Sequence, residues 1–237
     1  MAIRLGATDM ESFDEYAREY DELLRDPLRD RFAGGSAFFI RQKCRIVASR
    51  LPASSRALRV LDAGCGQGTA FGYFDSRVRV FGTDISQPML RPAAARGPVA
   101  VQEPLSLPFG DDTFDAVYAF CIYHHIPDEH HVRHLSELRR VVKPGGEVMV
   151  FEHNPYNPVT ARIFARAPID RGCHMIKPAG LRQTFRDAGL ERLDQGYLLF
   201  VPESLHRVFG AIEPALSWLP LGGQYFVSGR KTSPPPR

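Results

Sequence analysis

Apolar side chains recur at helical spacing through residues 11–51: Phe13, Tyr16, Ala17, Tyr20, Leu23 and Leu24, then Phe38, Phe39, Ile40, Cys44, Ile46, Val47 and Leu51. Asp26-Pro27 and Gly34-Gly35 punctuate the pattern, so a broken helical entry segment is expected there. From residue 57 the texture changes to short apolar runs of strand length at Leu58 to Ala63, Val78 to Thr83, Phe114 to Phe120 and Glu147 to Glu152, with a weaker one at Ala100 to Val101. The last full run follows a turn, Lys143-Pro144-Gly145-Gly146, and the first leads through a glycine cluster toward an expected helix. Between them, Glu129 to Val142 carries Val132, Leu135, Leu138, Val141 and Val142 on one helical face and reads as a crossover helix, with His130, His131 and His134 expected in solvent. Strands alternating with helices imply a mostly parallel sheet covered on both faces.

Residues 155–180 break this rhythm with prolines and polar groups and are expected to pass over the C-terminal edge of the sheet. Leu181 to Ala188 then reads as a helix closed by Gly189, and Glu191 to Val201 and Gln224 to Lys231 as two strands bracketing an insertion at 202–223. The expected division is a helical lid segment at 1–52, one domain at 53–231 and a frayed tail at 232–237. A chain of 237 residues with 44% hydrophobic and 24% charged residues suits that single embellished domain and can bury its own core. The formal charge of +3 gives no reason to expect a nucleic-acid partner. The acidic N-terminus and the short apolar runs predict neither a signal peptide nor a membrane-inserted segment. Cys44, Cys65, Cys121 and Cys173 are widely spaced, which suits reduced thiols in a cytoplasmic protein and offers no metal-ligand pattern.

The chemistry is concentrated after the first strand. Gly64, Gly66 and Gly68 let backbone pass close to a ligand at the C-terminal end of that strand, although such a loop also serves as a plain structural turn. The G-x-G-x-G spacing, preceded by Asp62, differs from the G-x-G-x-x-G of dinucleotide sites and suits a ligand without a pyrophosphate. Asp84 ends the next strand, where a carboxylate can accept both hydroxyls of a ribose; its other reading is a cap for the helix that follows.

The segments VLDAGCGQGT at 60–69, FGTDISQPML at 81–90, LPFGDDTFDAVYAFCIYHHIPD at 107–128 and ELRRVVKPGGEVMVFE at 137–152 resemble, in order and spacing, the motifs of class I S-adenosylmethionine-dependent methyltransferases, most closely the small-molecule branch that includes quinone-biosynthesis and natural-product enzymes. The resemblance implies an α/β, Rossmann-like doubly wound sheet of order 3-2-1-4-5-7-6 with the last strand antiparallel. It implies that S-adenosylmethionine is the cofactor, with Asp62, Gly64, Cys65 and Gly66 around its methionine portion, Asp84 on the ribose, and Ile85 and Met89 on the adenine face. Glu103 takes the place of the acid that accepts from the adenine amino group. The following residue normally donates a backbone N–H, which Pro104 lacks. Phe120 is expected against the cofactor with His125 packed beside it, and Tyr16 is expected in an aromatic lid over the sulfonium.

Methyl transfer is an in-line displacement in which the protein aligns the partners and excludes water; a hydroxyl acceptor gains from a nearby base. His153 is the candidate catalytic residue, and Tyr20, His124, Asn154, Tyr156 and His174 are the candidate substrate contacts. The expected activity is methylation of a small-molecule acceptor by a monomer or homodimer, with oxygen favoured over nitrogen or carbon and no metal required. A nicotinamide-dependent oxidoreductase and a noncatalytic nucleoside-binding protein are the alternatives.

Overall fold

The computed structural model describes residues 14–232; Phe13 and residues 233–237 of the tail expected at 232–237 lie outside them. Seven strands form one sheet: β1 (Leu58–Ala63), β2 (Val78–Asp84), β3 (Val99–Val101), β4 (Phe114–Phe120), β5 (Val142–His153), β6 (Glu191–Leu198) and β7 (Gln224–Arg230). The order is β3-β2-β1-β4-β5-β7-β6, and β7 runs antiparallel to both neighbours while the other pairings are parallel. This is the topology that the motif order implied.

Alternation along the central strands explains why the sheet is covered on both faces. Ala116, Tyr118, Met149 and Phe151 point into a cluster with Phe38, Cys44 and Val47, whereas Val117, Ala119, Val148 and Val150 join Leu135, Leu138, Leu181 and Phe185. The first cluster is built by α3 (Ser36–Arg50), which follows α1 (Tyr20–Leu23) and α2 (Pro27–Phe32); the second is built by α5 (Asp128–Val141) and α7 (Pro178–Asp187). Between them in sequence lie α4 (Gln87–Ala94) and α6 (Pro158–Phe164), and α8 (Glu203–Phe209) and α9 (Glu213–Leu216) occupy the 202–223 insertion. Arg50 fastens the end of α3 to the sheet through Glu147 at 2.8 Å, Asp194 at 2.9 Å and Ser228 at 2.9 Å. That anchor fixes which α3 side chains overhang the strand ends.

Three local expectations need correction. The expected helix after the glycine loop is only a five-residue 3₁₀ turn, Thr69–Tyr73. With β2 resuming at Val78 there is no length for a packed α-helix. The turn at Lys143 to Gly146 lies inside β5 as an irregularity between the Phe114/Val142 and Ala116/Glu147 pairs, with Gly145 at φ +81°. Finally, α5 turns His131 and His134 inward and leaves Val132 exposed. His131 Nε2 lies 2.9 Å from Tyr123 O and 2.8 Å from Ile126 O, and His134 Nδ1 lies 3.0 Å from the Tyr123 hydroxyl, so polar partners make that burial affordable. Among the described residues no helix is long and apolar enough to cross a membrane.

Candidate active site

The site forms where β1, β2 and β4 end. Gly64 and Cys65 both donate their N–H groups to Thr83 O at 2.8 Å, which folds the loop after β1 back over the tip of β2. Gly64 lies at φ +75°, and a Cβ there would come within 2.7 Å of Ile122 Cγ2, so neither the conformation nor the space admits a side chain.

Asp84 closes the loop from the other side. Its carboxylate accepts the Gly66 N–H and the Ser86 N–H, each at 2.9 Å. The cap of α4 is Ser86, whose hydroxyl accepts from Met89 N, which removes the capping alternative for Asp84. Burial raises the Asp84 pKa against the opposing effect of these N–H bonds.

Two connected cavities flank this junction and share Tyr20, Gly64, Gly66, Phe120, Cys121 and His125 on their walls. The smaller lobe, about 180 Å³, is lined also by Asp84, Ile85, Met89, Gln102, Pro104 and Leu105. Glu103 is exposed and absent from this lining; the wall position belongs to the buried Gln102, whose Oε1 has no hydrogen-bond partner. The larger lobe, about 370 Å³, lies beneath α3 and α6, with Phe39, Ile40, Ile163, Phe164 and Phe200 giving it an apolar wall. Asp62 and Cys65 line this lobe near the junction. Cys121, at φ +54°, and Leu199, at φ +66°, are held in the left-handed region at the cavity edge, a strain that packed surroundings must impose.

One polar cluster faces the larger lobe. Glu152 is fully buried; its Oε1 accepts the Tyr123 N–H at 2.8 Å and its Oε2 lies 2.7 Å from His124 Nδ1. Burial alone would pull the His124 pKa down, but the carboxylates of Glu152 and Asp170 outweigh it and lift the group to about 9. Burial pushes Glu152 the other way, yet His124 and the Tyr123 N–H bring it to about 2. His125 and His153 move oppositely: burial, reinforced by the His124 charge, lowers both to about 4, so both are neutral imidazoles near pH 7. The Asp170 Oδ1 atom approaches His124 Nε2 at 3.3 Å and His125 Nε2 at 3.5 Å.

Of the residues singled out from sequence, Asp62, Gly64, Cys65, Gly66, Asp84, Ile85, Met89, Pro104, Phe120, Tyr20, His124, His125 and His153 converge on these two lobes. Four others do not. Tyr16 is half-buried off the lining. Asn154 is fully buried but donates to Pro220 O at 3.0 Å and Gly222 O at 2.7 Å, pinning the 202–223 insertion to the end of β5. Tyr156 is half exposed and outside both linings. His174 is exposed on the surface, paired with Asp128 at 3.2 Å, because the 155–180 excursion turns it outward.

Sequence reasoning missed Lys43, Gln102, Cys121 and Asp170. Lys43 is buried on α3 with its ammonium 4.7 Å from the Phe120 ring centre and 3.7 Å from Cys121 Sγ. The available signal was a lysine set four residues after Phe39 and three after Ile40, on an apolar helical face. Asp170 sits on a 3₁₀ turn, Pro168–Asp170, in a segment without periodicity and offered no comparable signal.

A nucleoside-sized lobe at a glycine turn, at the C-terminal ends of parallel strands, defines a Rossmann-like cofactor-binding domain. Residues 61–150 match the family model described as a methyltransferase domain. The 2-phytyl-1,4-naphtoquinone methyltransferase of Synechococcus elongatus is 32% identical over 204 residues, spanning 78% of this chain and 81% of that protein. A tRNA (carboxymethyluridine(34)-5-O)-methyltransferase of Arabidopsis thaliana is 30% identical over 145 residues, 60% of this chain and 35% of its own length. The chain spans about a fifth to a third of the length of the tRNA methyltransferase relatives it matches. Among solved structures, a possible histamine N-methyltransferase from Thermotoga maritima shares the fold with a TM-score of 0.68 at 20% identity, covering 94% of this chain and 100% of that one. The chain belongs to the S-adenosylmethionine-dependent methyltransferases, which replaces the nicotinamide-oxidoreductase alternative.

S-adenosylmethionine suits the residues present. The glycine loop leaves room for a ligand backbone, Asp84 retains acceptor capacity beyond its two loop bonds, and the orphan Gln102 Oε1 is an acceptor awaiting a donor such as an amino group.

Asp62, on the lobe wall, carries a pH signature. Burial dominates the environment of Asp62 and raises its pKa to about 8, with Lys43 offsetting only part of the shift. A carboxyl whose folded pKa lies above its unfolded value of about 3.9 contributes stability that is present at acid pH and lost as pH rises through the folded value. The Asp62 contribution to the stability of the cofactor-free protein is therefore expected to fall from about pH 4 to pH 8, read as the difference between thermal melts of the native chain and of Asp62→Asn. Asp62→Asn should be more stable than the native chain at the upper end, with the gap closing toward acid. A gap that does not change with pH would remove Asp62 as its source.

Proposed function

We propose that this chain transfers a methyl group from S-adenosylmethionine to an oxygen of a small, largely apolar acceptor seated in the larger lobe. The observation that carries this reading is the meeting of the two lobes at Phe120, Cys121 and His125, with the neutral His153 on the acceptor side. The bound cofactor supplies an electrophilic methyl carbon on a sulfonium. In this reading Asp62 and the Gly64 to Gly66 backbone hold the methionine end, and Asp84 accepts the ribose hydroxyls. Ile85 and Met89 cover the adenine, and the Gln102 carbonyl accepts from its amino group in place of Glu103. Tyr20 and Phe120 close over the junction, where aromatic faces favour positive charge.

The chain's remaining work is to orient the acceptor, keep water out and take up a proton. His153 Nδ1 or Nε2, unprotonated near neutral pH, accepts the acceptor hydroxyl proton as its oxygen attacks. The quinone methyltransferase relative, matched over most of its length, favours a lipophilic ring compound as acceptor, and the apolar wall of the larger lobe suits one.

Incubation with methyl-labelled S-adenosylmethionine and a panel of phenols, hydroxyquinones, amines and tRNA tests the proposal. Label on the oxygen of a ring hydroxyl is expected. Label in tRNA or on an amine would overturn the acceptor class, and cofactor binding with no transfer to any acceptor would favour the noncatalytic alternative. His153→Ala is expected to lower turnover by about 10²-fold or more while leaving S-adenosylhomocysteine affinity unchanged. Undiminished turnover would remove His153 as the base.

A further inference from the structure

We propose that His124, His125 and Asp170 form a binding site for one divalent first-row transition-metal ion, Zn²⁺ or Fe²⁺, on the wall of the larger lobe. The three donor atoms, two ring nitrogens and a carboxylate oxygen, all lie within 4.8 Å of one another. His124 Nε2 and His125 Nε2 stand 3.3 Å and 3.5 Å from Asp170 Oδ1. Corners of a tetrahedron with metal bonds of about 2.0–2.1 Å are about 3.3–3.4 Å apart, so these spacings already suit ligands sharing an ion.

A second observation is independent of the spacing. Asp170 Oδ1 is buried, on a side chain only 5% exposed, and makes no hydrogen bond of acceptable geometry despite the two nearby nitrogens. A buried carboxylate oxygen without a donor is costly, and ring N–H groups aimed at it would have made bonds. A cation bound between these atoms would give that oxygen the partner the ring nitrogens do not. The rival occupant of the site is a proton, held as a His124 imidazolium between Glu152 and Asp170. It balances charge but leaves Oδ1 without an aligned partner.

The surroundings supply the outer support that metal-bound histidines use. His124 Nδ1 lies 2.7 Å from Glu152 Oε2, and Glu152 is itself fixed by the Tyr123 N–H. With its proton on Nδ1, His124 keeps an Nε2 lone pair free for an ion. His125 Nδ1 lies 3.3 Å from Cys173 Sγ, which orients the second ring. The ligands come from two tight turns, Tyr123–His125 after β4 and Pro168–Asp170 after α6, and all three line the larger lobe. Two imidazoles with one carboxylate select a borderline transition metal over Mg²⁺ or Ca²⁺, which take oxygen ligands, and the carboxylates of Glu152 and Asp170 match a double positive charge. The ligand set is split across 45 positions of sequence between His125 and Asp170, so no spacing motif announces it. If the methyltransferase reading holds, the open positions of the ion face the acceptor and would hold an anionic oxygen there. Metal binding itself does not depend on that reading.

The test is titration of tag-free, chelator-treated protein with Co²⁺ followed by visible spectroscopy, and with Zn²⁺ followed by calorimetry. One equivalent per chain, with cobalt bands of a four- or five-coordinate nitrogen and oxygen site, is expected. Asp170→Asn should abolish both signals, Glu152→Gln should weaken Zn²⁺ about 10–100-fold, and the surface variant His174→Ala should bind like the native protein. Circular dichroism verifies that each variant is folded, and X-ray absorption on the native zinc form reads the ligand set without any variant. No saturable binding of either ion to the native protein, or zinc binding that survives Asp170→Asn, would overturn the proposal. S-adenosylhomocysteine titrated into the same samples reports on the methyltransferase reading by its own signal, since the lobe proposed for its adenosine is bounded by Asp84 and Gln102 and not by Asp170.

Discussion

Replacement of Asp84 by alanine is expected to weaken S-adenosylhomocysteine binding by about 1.5–3 kcal/mol, roughly ten- to 150-fold, the range for hydrogen bonds to a charged group. The upper end is favoured because the same carboxylate has two tasks. In the proposed reading it offers its remaining lone pairs to a ribose, and it holds the Gly66 N–H at 2.9 Å and so fixes the loop after β1. Removing it frees both the loop and the ligand contact. Asp84→Asn, which keeps one acceptor and adds a donor pointed at existing donors, should recover only a part of the loss. Calorimetric titration measures both variants, and native-like affinity for Asp84→Ala would take Asp84 out of the site.

Glu152→Ala is expected to cost about 3–5 kcal/mol of folding stability, the range seen when one partner of a buried ion pair is removed. Two groups lose their acceptor at once, the Tyr123 N–H and His124 Nδ1, and neither is open to water. The residue joins the end of β5 to the turn after β4, so the loss falls at the hinge of both cavity walls. Glu152→Gln keeps the acceptor for Tyr123 and should be milder. Urea denaturation followed by circular dichroism gives both values, and a loss under about 1 kcal/mol for alanine would mean that the pair contributes little.

The cofactor half of this site was legible in sequence because its signals are local. Gly64, Gly66 and Gly68 sit at positive φ on a loop whose geometry demands them, and Asp84 follows a strand whose apolar run is plain to read. The sheet order came from the resemblance of consecutive motifs, each lying on a strand end. The acceptor half is assembled differently. Lys43, Ile163, Asp170, Phe200 and Gln224 meet around one lobe from five separate stretches, and no short-range pattern links them. Asn154 and Tyr156 lie outside both linings for a related reason. Proximity in sequence to His153 does not set the direction of a side chain once β5 ends and the backbone turns under the 202–223 insertion.

The histidines of α5 teach the same lesson from the opposite side. Polarity suggested solvent for His131 and His134, but the Tyr123 carbonyl and hydroxyl supply partners that make burial stable, and those partners belong to a turn read only as a loop. Glu103 and Gln102 differ by one position just beyond β3, and there Gln102 is buried while Glu103 is exposed. A shift of one residue there decides which side chain lines the smaller lobe.

The measurement that bears most directly on the account is calorimetric titration of the native protein with S-adenosylhomocysteine, set beside the same titration with NADH. Saturable one-to-one binding of the thioether nucleoside and no heat from the dinucleotide are expected. Binding of NADH, or the absence of any S-adenosylhomocysteine signal at millimolar concentration, would contradict it.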